Sequence, residues 1–481
     1  MKKRTVCVIF CHIMVLIPGE TIGSYLCEEI MSCTETARNS TGNAINDALQ
    51  QFIWETGNVD WLKFNITKKE KHFINSLIGT LHHRRKRQVN TTVRTRREYR
   101  MLSHTERFNF HSAIKNMKTS GQYDMLANIH RGIVVTSAHG GSNFPGWHRV
   151  YLLLFEEALV RINPTLSIPY WDSTMDFDMD NPSNSIVWSA SFFGNGDGFV
   201  TSGPFANWMT PVGRLTRNIG ASGSLFSKQS IRSLLSLCRT RDILDPTAQP
   251  QFNLDLIQGG IHVWVGGQMS GLNTAAYDPV FLLHHAFVDL IWELFRRRQE
   301  QYCGVDPASD YPSSVGMHAP ERMMTGFTTY RNIDGYSNFW TRFIFRYAPS
   351  PSCSTARSFC DSLYLNCDTS RQRCISLSRT RLGESGTNFA SMLRARAEES
   401  TLNIGPRFRS PPSERRTQDF QMRRRRSGFN LIGTSSNPRS IQSIMRAHAQ
   451  VASINVGPRF AAPPSEPRTQ EARFGFLSRR F

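Results

Sequence analysis

Residues 278–298, DPVFLLHHAFVDLIWELFRRR, decide the fold. Apolar residues recur there at helical intervals, and Leu282, His285, Val288, Asp289 and Trp292 share one face of a helix read from 280 to 298. A histidine and a carboxylate on an apolar stripe must find partners inside the protein, because a polar group buried without one is costly. Asp289 lies one turn after His285, so it either orients that histidine or pairs with an arginine such as Arg149.

Upstream, residues 129–149 read IHRGIVVTSAHGGSNFPGWHR and carry His130, His139 and His148. His139 sits in a glycine-rich loop and His148 opens a second helix, 148–162, so separate backbone directions can converge on one ion. Neutral imidazole suits copper. A further histidine, His262, lies in GGIHVWVGGQM, residues 259–269. Ser103 followed by Glu106 is a capping box, which starts another helix near Ser103. Gly- and Pro-rich loops such as residues 192–211 separate these pieces.

The motifs WHR at 147–149, Phe155-Glu156, PYWD at 169–172, HVWVGG at 262–267 and DPxFxLHHxxxDxxW at 278–292 occur in the order of the tyrosinase family, which this sequence resembles over residues 94–348. The spacing of His139 and His148 is similar to that family's copper A motif. The resemblance implies a mainly α fold, a four-helix-bundle core holding a dicopper centre, with long loops. Copper A would take His130, His139 and His148; copper B would take His262 and His285.

The first copper B position, four residues before His262, is Gln258 instead of histidine. An amide oxygen is a harder, weaker ligand, so a weakened copper B is expected. His284 is a conceivable substitute, but as the immediate neighbour of His285 it is expected to point elsewhere on the helix. The family's asparagine after that first position, which helps deprotonate a monophenol, is Gly259 here, and Ser137 stands where some members have a thioether cysteine. Leu272 corresponds to the substrate gate; Arg149 and Asp289 are expected to support the ligands from outside. The resemblance thus implies oxidation of phenols, o-diphenols above all, to o-quinones with O2. The rival expectation is a silent homologue with an incomplete copper B, serving as a structural or interaction protein.

The flanks bear on compartment. The chain has 481 residues and a formal net charge of +19, but residues 377–481 contribute 19 Arg against 7 acidic residues and no Lys. That tail repeats LNIGPRFRSPPSERRTQ (402–418) as INVGPRFAAPPSEPRTQ (454–470). It reads as a disordered, solvated basic tail rather than a nucleic-acid grip. Residues 1–23 read as a secretory signal, and residues 24–87 as an N-terminal segment or propeptide ending in the basic processing site 84–87. Asn39, Asn65 and Asn90 are glycosylation acceptors. Eight cysteines follow the signal, four of them at seven-residue intervals in 349–376, a small Cys-rich appendage stapled by disulfides. The expected product is a secreted, extracellular protein without stable membrane insertion, whose partners are O2, phenolic small molecules and extracellular matrix proteins.

Overall fold

The computed structural model describes residues 67–87, 93–327 and 329–382. The signal, a helical pattern at residues 44–54, the three glycosylation acceptors, Cys27, Cys33 and the duplicated tail beyond residue 382 lie outside the described residues.

The fold is mainly α. Its principal helices are α1 (Lys68–Arg87), α2 (His104–Thr119), α3 (Gln122–Ala127), α4 (Val135–Ala138), α5 (Phe144–Ile162), α6 (Lys228–Leu235), α7 (Leu254–Val265) and α8 (Val280–Tyr302). Strands are short and paired in twos. Of these, β1 (Arg94–Arg96) runs parallel to β2 (Phe345–Tyr347). The hairpin of β3 (Leu365–Asp368) and β4 (Arg373–Ser376) is antiparallel.

The centre is the pair α5 and α8. Every residue of α5 from Phe144 to Leu159 is buried, so the helix meets solvent only at its last turn. It begins at Phe144, four residues earlier than the sequence suggested, because Pro145 fits a first helical turn. α2 opens on the capping box read from the sequence, with Ser103 accepting from Glu106 N and Glu106 accepting from Ser103 N. α7 meets α8 across the histidines. At the start of α8, Asp278 accepts from Val280 N at 3.0 Å and holds the Arg217 guanidinium at 2.7 and 2.8 Å. That pairing accounts for the aspartate of the DPVF motif.

α5 and α8 are joined by buried charge. Arg149 donates to Asp289 at 2.7 Å and to Glu293 at 3.0 Å. Arg96 grips Glu156 through two bonds of 3.1 Å. Tyr347 O–H closes the cluster on Asp289 at 2.7 Å. Of the two roles open to Asp289, the structure contains the ion pair with Arg149. Removing one partner would strand a buried charge, at a cost of about 3–5 kcal/mol.

α1 was not anticipated. Thr67 and Glu70 form a reciprocal cap at its start, and Ile74, Leu77, Ile78 and Leu81 follow at helical spacing, all buried in the main core. Arg161 of α5 donates to Ser76 O at 2.8 Å and Arg84 faces Glu157 at 3.6 Å. The basic residues 84–87 thus end a helix seated on the bundle.

The Cys-rich segment is a hairpin held by Cys353–Cys367 and Cys360–Cys374, which enclose a small apolar cluster with Met175 and Leu365. A third disulfide, Cys238–Cys303, ties the chain after α6 to the end of α8.

Because Leu77 is fully buried, Leu77→Ala is expected to lower the unfolding free energy by about 2–5 kcal/mol. Denaturant titration measures this, and an unchanged midpoint would mean that α1 is not part of the folded core.

Candidate metal centre

Three elements deliver the first cluster. His130 follows α3, His139 ends α4 and His148 lies in the first turns of α5. Their Nε2 atoms converge: His130 to His139 at 3.0 Å and His130 to His148 at 3.3 Å. All three rings are essentially dry, with at most 2% of the residue exposed.

The other ring nitrogen of each histidine faces an acceptor. His130 Nδ1 meets Leu272 O at 2.9 Å, His139 Nδ1 meets the Asp255 carboxylate at 2.9 Å and His148 Nδ1 meets Phe144 O at 2.9 Å. Carbonyl and carboxylate oxygens only accept, so each Nδ1 carries the proton and donates. A neutral imidazole then has a bare lone pair on Nε2. Three such lone pairs at these separations repel unless a cation lies among them. Nitrogens about 2 Å from a metal at tetrahedral angles are roughly 3.3 Å apart, as found here. The donor set therefore fits a metal ion. Burial, reinforced by the neighbouring rings, holds His130 and His148 well below the usual imidazole range, which keeps them neutral and able to ligate.

The second cluster is built differently. His262 of α7 and His285 of α8 bring their Nε2 atoms to 3.1 Å, and His262 Nδ1 donates to Met269 O at 2.9 Å. His285 Nδ1 has no hydrogen-bond partner. Its proton can therefore sit on Nε2 and be donated to His262, which leaves His285 Nδ1 a bare, buried acceptor. Burial pushes His262 down to about 4.

His284 corrects the expectation that it points away. Successive side chains on a helix diverge by about 100°, yet its ring lies 4.9 Å from His262 and 5.1 Å from His285. It is turned toward α7, where Gln258 Oε1 meets its Nε2 at 3.0 Å. His262, His284 and His285 are thus one buried cluster. The two clusters adjoin: the His148 and His285 rings stack at 4.3 Å with 4° between their planes. Phe281 lies 4.1 Å from His285 and 5.1 Å from His130.

The supports of these rings were mostly invisible in the sequence, because two of them are backbone carbonyls on one loop. Leu272 O holds His130 and Met269 O holds His262, so the residue expected to be a gate also serves through its main chain. That loop starts with Gly266 and Gly267, both at positive φ, and a Cβ on Gly267 would meet Thr216 O at 1.9 Å. The glycines of the HVWVGG motif are therefore required sterically. Asp255 was also missed, although it stands on the helix of His262.

The profile of the common central domain of tyrosinase matches residues 120–298. A tyrosinase-like protein of the pearl oyster Pinctada maxima is 38% identical over 368 residues, which cover 70% of this chain and 79% of that protein. The chain belongs to the tyrosinase family. A tyrosinase of Streptomyces glaucescens is 32% identical over 251 residues, 46% of this chain and 89% of the relative. A putative tyrosinase-like protein of Caenorhabditis elegans is 37% identical over 289 residues, 57% of this chain, and the match spans only 42% of that relative. The solved structure of a polyphenol oxidase from Thermothelomyces thermophila aligns with a TM-score of 0.44 at 20% identity, covering 59% of this chain and 96% of the other. Copper is the cofactor of tyrosinase-family domains, and two histidine clusters are present to take it.

In copper-free protein, buried imidazoles stay neutral in the fold but take protons once unfolded. Their contribution to stability is complete above the ordinary value of 6.5 and is lost as pH falls through that value toward the folded one, about 4 for His262. Calorimetry of the copper-stripped chain should show Tm falling across this window; a flat Tm would contradict the dry placement of the rings.

Proposed function

We propose that this tyrosinase-family chain is a secreted, copper-dependent oxidase that converts o-diphenols to o-quinones with O2. The observation that carries this reading is the first cluster, whose three anchored imidazoles turn bare nitrogens toward one point. His130, His139 and His148 would hold copper A; His262 and His285 would hold copper B. The bound pair of ions would supply the two-electron exchange between diphenol and O2. The protein's share is to fix five imidazoles in a dry cavity, where burial holds His130, His148, His262 and His285 below the usual imidazole range.

Preference for o-diphenols rests on Gly259. No heavy atom lies within 4 Å of where its Cβ would be, so the position is open and offers no side chain to take a phenolic proton. Gly259→Asn therefore fits without a clash and is expected to raise monophenol oxidation relative to catechol oxidation, read as the ratio of the two kcat/KM values. An unchanged ratio would count against this account of substrate preference. Secretion is supported by the N-terminal signal pattern and by three disulfides among the described residues. No helix among those residues is long and apolar enough to cross a membrane.

A second reading, a silent homologue that acts through binding, is favoured by Gln258 and by its hydrogen bond to His284, which engages that ring without metal. Copper per chain and catechol-dependent O2 uptake of the full-length protein separate the two. Two coppers with steady O2 consumption support the oxidase. One copper and no uptake would leave the silent reading standing.

A further inference from the structure

Gln258 occupies the place of a copper B histidine, yet both ends of its amide are engaged elsewhere. Its Nε2 donates to Asp255 Oδ1 at 3.1 Å, and its Oε1 meets His284 Nε2 at 3.0 Å. The orientation follows from chemistry, because the Asp255 carboxylate only accepts and must face the amide N–H group. The amide oxygen then faces His284, which donates to it.

Asp255 is the more telling partner. Its Oδ1 also accepts from His139 Nδ1 at 2.9 Å, and its Oδ2 accepts from Gly140 N at 2.8 Å. A continuous chain of hydrogen bonds, His284–Gln258–Asp255–His139, thus runs from the second cluster to a histidine of the first. Asp255 lies at the start of α7, where Asn253 caps the helix by accepting from Asp255 N and Leu256 N. Gln258 follows one turn later and braces the carboxylate from inside the same helix.

We infer that Gln258 is a positioning residue for His139, acting through Asp255, and not a ligand of the second site. The inference rests on reading the two clusters as copper sites. It gives a position that belongs to copper B in the family a task at copper A. Partners that orient a metal-bound histidine are worth 10–100-fold in metal affinity, so the effect is measurable without turnover.

The test reads copper(I) affinity by chelator competition in full-length His285→Ala protein, where the first cluster is the intact one. Adding Gln258→Leu should weaken binding there by about 10–100-fold, and Gln258→Ala, which removes the same bonds with less bulk, should do likewise if the leucine variant fails to fold. In the reverse background, His148→Ala, Gln258→Leu should not weaken the second cluster, because His284 loses only a hydrogen bond that competes with a metal for its Nε2. An unaltered first site, or a loss confined to the second, overturns the inference. Failure of His285→Ala itself to bind copper would instead sink the metal-site reading beneath it, so the two failures are distinct.

Discussion

Three unprotonated nitrogens facing one another in a dry interior repel, and much of this domain is arranged so that they cannot turn away. His130, His139 and His148 are each held from behind by an acceptor that takes the Nδ1 proton. A histidine free to rotate would swing its lone pair toward a donor, and a histidine in water would take a proton. Rotation is blocked here by the three Nδ1 bonds, so the site is arranged to receive a cation, which is the physical content of preorganisation at a metal centre.

Keeping the rings in place requires α5 and α8 to hold a fixed relation, and buried charge sets it. Arg149 bridges Asp289 and Glu293, while Arg96 from β1 grips Glu156. Guanidinium geometry accepts few alternatives, so a slip of one helix along the other would break several charged hydrogen bonds together. Apolar contacts along the same helices would tolerate a small slide far better. The ionic lattice and the apolar core therefore divide the work: burial gives most of the stability, and the arginines give register.

The two clusters differ in kind, not only in ligand count. In the first, every Nδ1 is already engaged and three Nε2 atoms face one another. In the second, His285 can donate to His262 and His284 can donate to Gln258, while the Nδ1 atoms of His284 and His285 stay buried without a partner. Replacing a histidine by Gln258 thus removes an imidazole and also gives His284 a hydrogen bond that an ion taking that ring would have to displace.

The sequence by itself determined the family, the central helices and the residues of the first cluster, because ligand histidines and helix faces are written in spacing. The capping box at Ser103 and the aspartate face of 278–298 were legible for the same reason. The helical intervals of Ile74, Leu77, Ile78 and Leu81 in α1 are also written in the sequence, but the basic run at its end reads as a processing site, and only the fold shows the helix packed on the core. Only the tertiary structure decided what stands behind the histidines. Leu272 and Met269 act through carbonyls, which any residue possesses, and so leave no trace in residue type. The partners of Gln258 and His284 were hidden for a related reason: the bond between them joins α7 to α8, and its direction depends on Asp255 fixing which end of an amide faces which neighbour.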